Sequence, residues 1–221
     1  MKNLLYKEFL LNTTMQTVVS MLLPVLIIIP TWPSLVAFFY PLAGIFTILP
    51  FSLTNQDMLF TGLLPIKKSD IVKGKVYYLM AIELISILVA VPAGIVRQLV
   101  LTPLMPLEST YTELGINFAT FGIVLMIYAF FNAIYIPWFY KKRDKQIAAN
   151  VVSFVLTSIL LMIFMVFFII CEPATLFLND FTNIYSVLTQ IGILLLGLII
   201  FFLSGLFAIK KGGKNFSKID L

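Results

Sequence analysis

Apolar positions in this chain come in long runs, not in the narrow stripes of a soluble helical fold. From Phe9 to Gln56 no residue carries a charge. A helix needs about 20 apolar residues to cross a bilayer, so this run is too long for one crossing. Pro30, Trp32, Pro33 and Ser34 break it. The pattern predicts a first span over 14–30 and a second over 34–54, joined by a tight turn with Trp32 at interface depth. Later runs predict spans over 76–96, 115–139, 147–170 and 186–209, the last followed by a basic cytoplasmic tail, 210–221. The expected fold is all-α, one polytopic transmembrane domain over 1–209 with six transmembrane helices. Pro24, Pro41 and Pro50 lie inside predicted spans, where neighbouring helices can satisfy the carbonyls that they free.

The polar interruptions carry the next layer of information. Met1–Leu11 mixes Lys2, Lys7 and Glu8 with Leu4, Leu5, Tyr6, Phe9 and Leu10 at near-helical spacing. It reads either as an interfacial helix with its lysines toward the headgroups or as the frayed start of the first span. It lacks a clear small-residue cleavage site, so it is expected to be retained. The longest interruption in the first half is Asp57–Lys75.

With six spans both termini fall on one side, and so do 14 of the 15 basic residues; Arg97 alone falls opposite. Excess lysine and arginine marks the cytoplasmic face, so both termini are expected there. The net charge of +5 is thereby explained as topology, not nucleic-acid binding.

Composition agrees. Of 221 residues, 61% are hydrophobic and 11% charged, against about 25% charged in a soluble domain. There is no histidine, and Cys171 is the only cysteine. Histidine-dependent catalysis, histidine-ligated haem and an internal disulfide are excluded, and a zinc site would need carboxylates alone. No GxxxxGK[ST], GxSxG or HExxH pattern occurs. No catalytic constellation is expected, and no cofactor on this chain.

The 57–75 segment is built to be touched. Leu63, Leu64, Ile66, Ile71 and Val72 form an apolar patch among Lys67, Lys68, Lys73 and Lys75, with Asp57 and Asp70. A charge-rimmed apolar patch of this kind marks an interaction site; a cationic loop serving only topology is the plainer alternative. Pro65 ends any preceding helix, Ser69 is the expected N-cap and Asp70 suits the first turn. A helix from there would run through Gly74 into the third span as one lever.

The run LLPIKKSDIVKGKVYYL resembles the cytoplasmic loop of type-2 ABC exporter permeases. Asp57, Leu64, Pro65, Lys68, Ile71, Val72 and Lys75 stand where a small six-span branch has an acid, a Leu-Pro-basic segment and Ile-Val-x-x-Lys. NAIYIPWFYKKRDK, Asn132 to Lys145, is similar to that branch's end of the fourth span. The likeness is nearest to permeases of phenol-soluble-modulin and bacteriocin-type peptide exporters. Lys67 and Lys68 replace a frequent arginine, which loosens the contact geometry that they imply.

The resemblance implies a half-channel without its own motor. Two such chains would pair as a homodimer with two copies of an ABC ATPase subunit that holds ATP and Mg. The coupling contact would comprise Asp57, Leu63, Leu64, Pro65, Ile66, Lys67, Lys68, Ser69, Asp70, Ile71, Val72 and Lys75. The cargo would be an amphipathic peptide or another hydrophobic compound, exported across the bacterial inner membrane. Short re-entrant helices are implied for Cys171–Tyr185. Glu83, an acid inside a span, is a candidate for the substrate path or a helix contact. Rival readings are the substrate-binding subunit of a vitamin-uptake system, an intramembrane enzyme, and a structural or sensor-associated subunit.

Overall fold

The computed structural model describes residues 2–30, 32–54, 60–61, 66–101, 104, 114–141 and 146–218. These contain eight α-helices and no strand. They are α1 (Lys2–Asn12), α2 (Met15–Leu22), α3 (Phe39–Thr54), α4 (Lys68–Val96), α5 (Phe118–Phe139), α6 (Gln146–Ile170), α7 (Glu172–Asn179) and α8 (Ile184–Phe216).

Local chemistry sets the breaks. Thr14, in extended backbone, caps α2 by accepting from Thr17 N at 3.3 Å. That cap separates α1 from α2 by a 93° bend. Pro24 lacks an N–H, and from Leu23 to Ile28 the helix tightens to 3-10 form. Asn117 caps α5 through Thr120 N at 2.9 Å, and Asn183 caps α8 through Tyr185 N at 3.0 Å. α4 continues past Val96 as a π-turn over Arg97–Leu101.

Among the described residues four helices are long and apolar enough to cross a membrane: Lys68–Leu101, Phe118–Phe139, Gln146–Ile170 and Ile184–Phe216. The bent pair ending at Ile28 brings the total to five if it counts as one crossing, and Val36–Ile48 is a shorter apolar helix. α4 starts at Lys68, one residue before the expected Ser69, and runs through Gly74 into the third apolar run as expected; α8 differs, running through Gly212 and Gly213 to Phe216 and not stopping at 209.

α5 is the axis of the bundle. In its most apolar window 72% is buried, against 22% for α6 and 28% for α8, so the outer faces of α6 and α8 must meet lipid or another chain. α8 can approach α5 because both carry glycine at the crossing. A Cβ on Gly122 would lie 2.5 Å from the Ile193 carbonyl oxygen, and one on Gly197 would lie 2.9 Å from the Gly122 carbonyl carbon. The crossing is therefore backbone against backbone, the small-residue packing that membrane helices use in place of a hydrophobic drive.

Candidate functional site

The described part of the 57–75 segment begins an outward-facing turn and then dives into the bundle. Ile66, Lys67 and Ser69 are exposed, and Lys68 and Asp70 half-buried. Lys67, in extended backbone, is the N-cap of α4, and its carbonyl accepts from Asp70 N at 2.8 Å. Ser69 consequently lies in the first turn and does not cap the helix, while Asp70 sits where the dipole favours an acid. Asp57, Leu63, Leu64 and Pro65 lie outside the described residues.

Ile71 and Val72 are fully buried and Lys75 is 2% exposed. In this conformation they pack within the chain and offer nothing to a soluble partner. The helical repeat explains it. Val72, Lys75, Val76, Leu79, Ile82, Glu83 and Ser86 follow at helical spacing and form one inward stripe.

α1 holds both flanks of the segment. Lys7 donates to Thr61 Oγ1 at 2.6 Å on the near flank. The adjacent Glu8, fully buried, takes Lys75 Nζ at 3.0 Å on the far flank. Lys7 also lies 3.2 Å from Glu8 Oε1, and Asn12 Nδ2 donates to Glu8 Oε2 at 2.6 Å. Apolar contacts reinforce the clasp: Leu4 fills the niche over Gly74, and Phe9 meets the Tyr78 ring edge-on at 4.9 Å. Thr13 and Tyr78 share a 3.0 Å hydrogen bond.

The sequence reading did not find Glu8. The signal was present, because Leu5, Glu8, Phe9 and Asn12 share one face of a helix.

A second support comes from α8. A Cβ on Gly213 would touch Ser69 Cα at 3.4 Å, and one on Gly212 would press Val72 and Ile136 at 3.1 and 3.2 Å. Lys68 lies over the Phe216 ring at 5.8 Å, and Asn215 donates to the Pro137 carbonyl at 2.7 Å. The start of α4 thus rests on α1 and α8, and Gly212 of α8 in turn packs against Ile136 of α5.

At the opposite end of α4, Arg97 donates to the carbonyls of Ile27, Pro30 and Trp32 at 3.0, 2.8 and 2.9 Å. Ile27 lies at the end of the 3-10 helix, where carbonyls lack helical partners, and Pro30 and Trp32 follow its C-cap, so one guanidinium serves the helix end and the residues beyond it. Beside it, Cys171–Tyr185 contains the single short helix α7. Asn117 Nδ2 donates to the Leu178 carbonyl at 2.9 Å, and Asn179 Oδ1 accepts from Gly115 N at 2.7 Å. Gln190 Nε2 donates to the same Leu178 carbonyl at 2.9 Å. These bonds tie α7 to the starts of α5 and α8.

Glu83 is fully buried and accepts from Asn132 Nδ2 at 2.7 Å. It lines no open path in this conformation; it joins α4 to α5. Among the described residues no three Asp, Glu or Cys side chains converge on one point.

The chain was compared with known proteins. No curated protein and no solved structure matches it. The sequence profile of the ABC-2 family transporter proteins matches residues 3–211, from within α1 to Lys211 of α8. With nearly the whole chain covered, and with several apolar helices around a buried axis, this membrane-embedded protein belongs to the ABC-2 family, the permease subunits of ABC transporters that work with an ABC ATPase.

Proposed function

We propose that this permease is an exporter subunit that moves amphipathic peptides or other hydrophobic compounds outward. It works as a homodimer with two ATPase subunits that bind ATP and Mg. The chain crosses the membrane six times, counting the α1–α2 pair's second arm and Val36–Thr54 as the first two crossings, with both termini and the 57–75 segment cytoplasmic. The concentration of lysine at one end supports this orientation.

The observation that carries the reading is the mounting of the segment. A loop that only reversed the chain would not need its flanks fastened through Thr61 and Lys75 to one helix, nor its first helical turn seated on the glycines of another. A partner that moved this turn would move α1, α4, α5 and α8 as a unit. Ile66, Lys67, Lys68, Ser69 and Asp70, exposed or half-buried, would meet that partner. Asp57, Leu63, Leu64 and Pro65 belong to the same contact on sequence grounds. Ile71, Val72 and Lys75 transmit movement from inside. A ligand drives a conformational change only by binding two states with different free energy. A rigid mount satisfies that need, because closure of the ATPase dimer would be felt as displacement and not absorbed by the loop.

The test is co-purification from native membranes in mild detergent, followed by reconstitution. An ATPase subunit should be retained by the unaltered chain and lost when Lys67, Lys68 and Asp70 are changed together. Candidate amphipathic peptides should then stimulate ATP hydrolysis in the reconstituted complex. Recovery of an ATPase whose hydrolysis no peptide or hydrophobic compound affects would sink the cargo assignment. Retention of the ATPase by the triple variant would sink the docking assignment.

A further inference from the structure

Among the described residues two acids are fully buried, Glu8 and Glu83, and their surroundings differ. Glu8 has two lysines and an amide around it. Glu83 has one partner, Asn132, itself fully buried. No lysine or arginine among the described residues pairs with Glu83. Two hydroxyls one turn along α4 and α5 are already engaged. Ser86 Oγ donates to the Glu83 main-chain carbonyl at 2.7 Å. Tyr128 OH, 3.4 Å from Ser86 Oγ, donates to the Phe38 carbonyl at 3.0 Å.

The Glu83–Asn132 contact leaves two atoms over, Glu83 Oε1 and Asn132 Oδ1. Both are acceptors. A carboxylate here would hold its charge away from water with one neutral donor, the arrangement that buried ionic groups most strongly disfavour. Buried acceptors without a donor are costly as well, and native interiors contain few of them. A single hydrogen resolves both difficulties. Placed on Oε1, it removes the charge, makes Oε1 a donor and gives Asn132 Oδ1 the donor that it lacks.

We propose that Glu83 retains a solvent-derived proton in the folded protein and closes a two-bonded acid–amide pair with Asn132 that fastens α4 to α5. In this pair Asn132 Nδ2–H donates to Glu83 Oε2, and Glu83 Oε1–H donates to Asn132 Oδ1. The site is a proton-binding site inside the bundle, on the same inward stripe of α4 as Lys75. It acts by positioning, holding the lever helix to the axis of the bundle.

Infrared absorption of the full chain in lipid nanodiscs at neutral pH tests this, as the difference between wild type and Glu83→Gln. The expected spectrum has a carbonyl band in the protonated-carboxylic-acid region that Glu83→Gln removes, with the carboxylate bands unchanged. Loss of carboxylate absorbance in Glu83→Gln, with no change in the acid region, would overturn the proposal. Thermal unfolding gives a second readout. Glutamine can make both bonds of the closed pair, so Glu83→Gln should unfold with wild type while Glu83→Ala unfolds earlier. Equal losses in the two variants would count against the proton as the closing atom.

Discussion

The ammonium of Lys75 and the carboxylate of Glu8 lie 3.0 Å apart, with 2% and 0% of their side chains exposed. They come from helices at opposite ends of the first third of the chain, and Lys7 lies on the carboxylate's other oxygen. Breaking a buried pair by removing one member costs about 3–5 kcal/mol, because the survivor stays buried and charged. Glu8→Ala and Lys75→Ala should therefore each lower the unfolding temperature. Glu8→Leu combined with Lys75→Met should recover most of the loss. Thermal unfolding in detergent checks all three variants.

The α5–α8 crossing is the next point of sensitivity. Gly197→Ala would drive a methyl group into the Gly122 backbone, where no side chain can rotate away. Overpacking of this kind costs about 1–3 kcal/mol and more where backbone must move. Gly192, on the same helix, faces open space: a methyl group there would meet nothing within 4 Å. Gly192→Ala should be neutral or stabilising, by up to about 1 kcal/mol from helix propensity. The two variants differ from wild type by one methyl each, so a side-by-side denaturation series separates crossing geometry from propensity.

Arg97 serves three carbonyls with one planar fork. Lysine carries the same charge but a single ammonium and cannot reproduce the fork. Arg97→Lys should therefore loosen the Ile27–Trp32 turn nearly as much as Arg97→Ala. Limited proteolysis should cut that turn faster in both variants. Protection in Arg97→Lys equal to wild type would show that charge alone suffices.

Gly213 lies at ordinary contact distance from Ser69, so one methyl group fits and a larger side chain does not. Gly213→Ala should preserve ATPase retention in co-purification, and Gly213→Leu should weaken it while leaving the transmembrane bundle folded. Circular dichroism and thermal unfolding of the same samples establish the folded state.

The lysine-rich end also shows how far pattern reading carries. Hydrophobic run length alone located the apolar regions of α4, α5, α6 and α8, since a bilayer demands long apolar helices whatever packs against them. Charge counting singled out Arg97, although not its purpose. The boundaries were less legible. The last span was expected to stop at 209, and Gly212 and Gly213 beyond it are residues that weaken an isolated helix. Packed against Ser69 and Val72 they are the residues that let α8 continue.

Membrane class and helical fold were determined by sequence alone, because each follows from solvent demands on consecutive residues. Which face of α1 turns inward, which residues of the segment meet water and which acid has a cation were decided only in three dimensions. Glu8 and Glu83 make the reason plain. Glu8 follows Lys7 and Glu83 stands among apolar residues, but neither setting names the distant partner. One meets Lys75 and the other Asn132 because helix packing joins residues 67 and 49 positions apart, and no run or spacing encodes a contact of that range.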